Sequence, residues 1–118
     1  MGHNYKDLVA WQKSKDYTVY VYQLTRHFPD KEKFGLTSQL QRASVSIVSN
    51  IAEGQGRLTK GEFRQFLGHA RGSLLEVLTQ LEIAAALGYI TDTEMAEAEI
   101  KGRELLRVIS GLCDSMKP

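Results

Sequence analysis

The sequence predicts an all-α protein, an up-down-up-down antiparallel four-helix bundle. Three observations carry that expectation. Apolar residues recur at spacings of 3 and 4 through four separate segments, the period of one helix face. Proline occurs only at Pro29 and Pro118, so no later segment is broken. No region alternates apolar and polar residues long enough to read as a strand. At 118 residues, the chain fits one domain, residues 1–118, with a core that needs no disulfide or metal.

The first helix is expected over about residues 6–28. Trp11, Ser14, Thr18, Val21, Thr25 and Phe28 form a seam of 3.5-residue period, widened by Leu8, Tyr17 and Leu24. Pro29 stops it, and PDKEKFG reads as a polar connection. The second helix, about 36–53, repeats the rhythm with Leu36, Leu40, Ala43, Ile47 and Asn50, broadened by Ile51 and Ala52. Gly54 and Gly56 are expected to end it by entering the left-handed conformation. Thr59-Lys60-Gly61-Glu62 matches a capping box and opens a third helix, about 59–87, whose apolar residues run from Phe63 to Ala85. Gly88 ends it. Thr91-Asp92-Thr93-Glu94 is a second capping box, opening a helix over about 91–116. Its heptads are the clearest in the chain: Met95, Ala98, Gly102, Leu105, Ile109, Leu112 and Met116. Gly102 and Gly111 are candidates for close approach by another helix. Short connections between such helices favour antiparallel neighbours.

Composition narrows the class. With 42% hydrophobic and 25% charged residues, the chain has the make-up of an ordinary globular protein. The one cysteine, Cys113, allows no internal disulfide and suits a reducing cytoplasm. No signal-like opening and no run of about 18 apolar residues occurs, so a soluble cytoplasmic protein with no membrane partner is expected. The net charge of +1 is uninformative, but its distribution is not. Residues 1–72 carry 11 Lys/Arg against 6 Asp/Glu, and residues 73–118 carry 4 against 8. That asymmetry fits either a basic face for an anionic partner or the pairing of basic and acidic surfaces between copies.

Recognisable chemistry is missing. Gly54-x-Gly56 fails the spacing of both a phosphate loop and a dinucleotide loop, and it follows a helix where a strand is required. The residues three before His27 and His69 are Leu24 and Phe66, so no Glu-x-x-His di-iron motif exists, and His3 is isolated. One cysteine and scattered histidines do not make a zinc site, Cys113 reads as a small core hydrophobe, and no G-x-S-x-G elbow occurs. No catalytic residue, cofactor or metal is therefore assigned.

Two polar groupings remain. Ser46, Asn50 and Glu53 share a stripe of the second helix, extended by Arg42. His69, Ser73, Glu76 and Gln80 share one on the third. If these helices fold back near Gly56, residues whose numbers sum to about 113 face each other. An Arg42–Glu76 pair, or an acid for Arg71, then becomes feasible. Asn50 at a seam position is the kind of polar residue that fixes register. The group Arg42, Ser46, Asn50, Glu53, Ser73 and Glu76 is read as a structural network; Glu53 and Glu76 as an acid–base pair is the alternative. The second grouping is basic: Arg57, Lys60, Arg64 and Arg71 lie near the start of the third helix, where the macrodipole also favours anions. They are candidates for weak RNA or DNA phosphate contact. No aromatic platform accompanies them, since Phe63 and Phe66 read as core.

The segments DLVAWQKS, FPDKEKFGLTSQLQRASVSIVSNIAEGQGR and EFRQFLGHARGSLLEVLTQLEIAAALGYI together resemble the family of proteins encoded in intervening sequences of 23S ribosomal RNA genes. The run Gly35-Leu36, Gln39, Arg42, Ser46 and Ser49 to Gly54, with Ala70-x-Gly72-Ser73-x-x-Glu76, carries the likeness. Val48 stands where a proline is common, and Ser14 and Lys15 replace more apolar residues. The resemblance implies a bacterial protein of unknown function, an up-down-up-down bundle and assembly into a ring-shaped homopentamer. Accessory proteins of diversity-generating retroelements share that bundle and ring, and bind a reverse transcriptase and nucleic acid. The leading expectation is a non-enzymatic homo-oligomeric scaffold; the alternative is such a reverse-transcriptase accessory.

Overall fold

In the computed structural model, which describes residues 4–118, the four apolar patterns become four α-helices: α1 Val9–Thr25, α2 Leu36–Gln55, α3 Lys60–Ala86 and α4 Asp92–Ser115. Short 3-10 turns cover Tyr5–Asp7 and Asp30–Glu32, and no strand occurs among the described residues. α2 packs on α1 and α3, and α4 on α3 and α1. The molecule is a rod of 47 × 24 × 20 Å. Its length follows from α3, whose 27 residues span roughly 40 Å at about 1.5 Å each.

α1 is shorter at both ends than the expected 6–28. Asn4 Oδ1 accepts from Lys6 N at 2.9 Å and closes a separate 3-10 turn, and Leu8 is then extended with ψ 128°. At the other end the helix stops at Thr25, before Pro29 forces it to. The Thr25 hydroxyl donates to Tyr22 O and accepts from Gln41 Nε2 of α2. Phe28 stays in the core from outside the helix, its ring 5.4 Å from that of Tyr89.

α2 continues through Gly54 and Gln55, beyond the expected end at residue 53. Neither Gly54 nor Gly56 is left-handed; Gly88 alone has positive φ among the described residues, +80°. Gly54 is instead required by packing, because an added Cβ would lie 2.7 Å from Phe66 Cβ and 2.9 Å from Phe63 Cδ1. The buried line also differs from the expected seam. After Ile47 it runs through Ile51 and Gly54, leaving Asn50 at the edge, as a straight helix of 3.6 residues per turn requires.

α3 is capped by Thr59, whose Oγ1 accepts from Glu62 N and donates to Glu62 Oε1, each at 3.1 Å; the return bond from Thr59 N that completes a capping box is not made. At Thr91 the box is complete, with Glu94 N donating to Thr91 Oγ1 and Thr91 N to Glu94 Oε1. Met95, Ala98, Gly102, Leu105 and Ile109 are buried, while Leu112 and Met116 are half-buried. Gly102 is a point of close approach: a Cβ there would meet Leu78 Cδ2 at 2.6 Å and the Tyr17 hydroxyl at 2.9 Å. Gly111 is exposed and meets nothing. Tyr17 donates to Ala98 O at 3.0 Å, and burial raises its pKa, helped by the nearby Tyr20 and Glu99. Lys13 and Glu104 add an ion pair across α1 and α4.

Candidate functional site

The α2–α3 seam joins three of the six residues of the expected polar network. Ser46 Oγ meets Ser73 Oγ at 3.0 Å, and Asn50 Nδ2 donates to Ser46 O and Ser46 Oγ at 2.8 and 3.0 Å. Asn50 therefore bonds only within its own helix, and the serine pair makes the crossing. Further along, Gln80 Nε2 reaches Glu76 Oε2 at 3.3 Å and Gln39 Oε1 at 3.4 Å. Gln80 is 6% exposed, and its Oε1 has no protein partner. The pairs Ser46–Ser73 and Gln39–Gln80 each sum to 119, so the register lies six numbers beyond the expected 113. The difference arises in part because the turn falls at residues 56–59, after α2 has run on to Gln55.

That shift moves Arg42 away from Arg71 and beside Glu76. The two line one cleft of about 340 Å³ together with Phe34, Ser38, Gln39, Ala43 and Ser46. They do not form the expected ion pair: among the described residues no carboxylate oxygen lies within 4.0 Å of a basic nitrogen of Arg42. Phe34, which the sequence reading left inside a polar connection, is 91% exposed at the rim. Glu53 belongs to the other end of the seam, where it pairs with Arg57 at 3.3 Å. Ala43 and Glu53 are ten residues apart on α2, about 15 Å, so Glu53 and the Glu76 cleft do not converge.

The basic candidates separate into three environments. Arg57 is bound to Glu53 and lies 4.6 Å over the Phe66 ring. Arg71 donates to Ser110 Oγ of α4 at 3.2 Å. Lys60 and Arg64 line a groove between the start of α3 and the end of α4, with Gln65, Cys113, Met116 and Lys117. Lys117, absent from the sequence candidates, joins them from a distant stretch of chain, while its Nζ is 3.4 Å from Asp114 Oδ1. Cys113 is half-buried, packed against the edge of the core and lining this groove. No group of three His, Cys, Asp or Glu side chains is placed to hold a metal among the described residues; His3 lies outside them. No described helix is long and apolar enough to cross a membrane.

Four helices joined by short turns, with a serine–amide seam between the middle pair, define an all-α, four-helix protein. The chain belongs to the 23S rRNA-intervening sequence protein family, whose model matches residues 6–111. It is similar in fold to a crystal structure of a protein of unknown function from the S23 ribosomal protein family of Bacteroides thetaiotaomicron VPI-5482. That likeness has a TM-score of 0.83 at 24% identity, covering 92% of this chain and 98% of the other. Among curated proteins none matches.

Proposed function

We propose that the protein is a non-enzymatic scaffold, an up-down-up-down antiparallel bundle that assembles with copies of itself, as a pentameric ring. The topology is supported by contacts that pair rising numbers with falling ones at each interface: Thr18 with Ser44 and Thr25 with Gln41, Ser46 with Ser73 and Gln39 with Gln80, Arg64 with Cys113 and Arg71 with Ser110, Lys13 with Glu104 and Tyr17 with Ala98. Absence of a reaction centre is supported by Glu53 and Glu76, which are engaged in separate places. The observation that carries self-assembly is the outer face of α3. Gly68, Gly72, Leu75, Thr79, Ile83 and Leu87 recur at spacings of 4, 3, 4, 4 and 4 with no charge among them. Leu75, Ile83 and Leu87 are 40%, 46% and 54% exposed. A Cβ at Gly68 or Gly72 would meet nothing within 4 Å, so the chain's own packing does not use those glycines. Such a face suits close approach by another backbone, and a ring requires one surface to meet a different one on its neighbour. Leu75→Glu places a charge in this face. Sedimentation velocity is expected to show lighter particles than wild type; an unchanged distribution removes α3 from the contact.

A second reading is favoured by the convergence of Lys60, Arg64 and Lys117 on one groove. It is a phosphate contact for RNA or DNA in the cytoplasm, repeated around the assembly and strengthened by avidity.

A further inference from the structure

The Phe34 cleft shares no residue with the α3 face or the Lys60 groove, and neither reading explains it. Phe34 is a whole aromatic ring in water, 91% exposed, with Lys33 Nζ 5.5 Å from its centroid. The floor beside it is polar: Ser38, Gln39, Ser46 and Glu76. The Arg42 guanidinium in the wall has no ion pair or hydrogen bond to any described residue. Glu76 gives one oxygen to the Gln80 amide at 3.3 Å and keeps the other unbonded. At about 340 Å³ the cleft falls within the roughly 300–1,000 Å³ of small-ligand sites.

We propose that this cleft holds an unpaired guanine base of a single-stranded nucleic acid, stacked on Phe34, with Glu76 reading its edge and Arg42 taking a flanking phosphate. Each component has one demand. An exposed ring offers a π-face to any base. A carboxylate accepts N–H bonds, and guanine presents two adjacent donors on its Watson–Crick edge, where uracil presents one. A free guanidinium beside a carboxylate suits a ligand carrying both an anion and donors. An apolar side chain of a protein partner would leave Gln39, Ser46 and Glu76 desolvated without bonds, which is costly. An acidic peptide would meet Glu76 as a like charge. The nearby Glu32 carboxylate is already committed to Leu36 N at 3.1 Å and the Tyr89 hydroxyl at 2.9 Å.

The test is fluorescence anisotropy at low salt with a labelled uridine hexamer carrying one central guanosine, against the all-uridine hexamer. The guanosine strand is expected to bind more tightly. Phe34→Ala is expected to weaken it about ten-fold, the loss of one base stack. Glu76→Gln is expected to erase the preference for guanosine while sparing binding of the uridine strand. Guanosine monophosphate is expected to compete poorly; competition on equal terms would replace the strand by a free nucleotide and overturn the proposal. So would no binding by wild type, binding unchanged in Phe34→Ala, or a fall in solution mass on Phe34→Ala, which would make the ring a protein contact. Loss of binding in Lys60→Ala/Arg64→Ala with full binding in Phe34→Ala would place the contact in the other groove and leave the assembly reading intact.

Discussion

Gly54 and Gly68 are both glycines inside helices, and they are expected to answer the same substitution in opposite ways. At Gly54 a methyl group would sit 2.7 Å from Phe66 Cβ, which is held by the backbone and cannot swing aside. Overpacking of this kind costs about 1–3 kcal/mol, against the roughly 1 kcal/mol that alanine gains over glycine in a helix interior. Gly54→Ala is therefore expected to lower the denaturant midpoint. At Gly68 nothing lies within 4 Å, so Gly68→Ala keeps the propensity gain and raises the midpoint of the unassembled chain. Glu32 gives a pH-dependent prediction. Its bond from Leu36 N, then that from Tyr89, hold its carboxyl below the ordinary value of 4.5. A carboxyl depressed in the folded state contributes stability that is complete above the unfolded value and disappears as pH falls through the folded one. Thermal melts of wild type are expected to lose this part of their stability below about pH 4.5. Glu32→Gln should be flatter over that window, and parallel curves would deny Glu32 the role.

At the scale of the elements, the caps and periods were legible and the joins were not. T-x-x-E at residues 59 and 91 located two helix starts because a cap is local chemistry, read within four residues. The buried faces of α3 and α4 were legible because apolar spacing is local as well. The register of α2 against α3 depended on where one turn falls, and two extra helical residues helped displace it. That displacement set Arg42 beside Glu76 in one cleft without an ion pair between them. Phe34 was missed for a related reason: a single aromatic between Lys33 and Gly35 carries no period, and only the fold sets it beside Arg42 and Glu76. The signal available in the sequence was an aromatic within a lysine-rich connection, KEKFG. Between the two caps, Thr91→Ala removes the bond from Glu94 N and leaves Thr91 N on Glu94 Oε1, whereas Thr59→Ala removes both the bond from Glu62 N and the hydroxyl's own bond to Glu62 Oε1. Urea unfolding is expected to show a loss of about 1 kcal/mol at each, the larger at Thr59; a larger loss at Thr91 would mean that the hydroxyl–carboxylate bond at Thr59 adds nothing.

For the molecule as a whole, charge is distributed by element. α2 carries only Arg42 and Glu53 in 20 residues, while α4 carries nine charged residues in 24. α2 is therefore poor in charge, its two charged groups lying in the Phe34 cleft and at the Arg57 pair, while α4 presents a solvated, charged surface. The uncharged outer stripe of α3 adds partly exposed apolar side chains, Leu75, Ile83 and Leu87, and gives a 13.3 kDa rod reason to associate. Light scattering coupled to size exclusion tests that claim most directly. The account predicts a particle several times the 13.3 kDa of one chain, near 67 kDa for five copies, and a lower mass for Leu75→Glu. A single 13.3 kDa species at high protein concentration would contradict it.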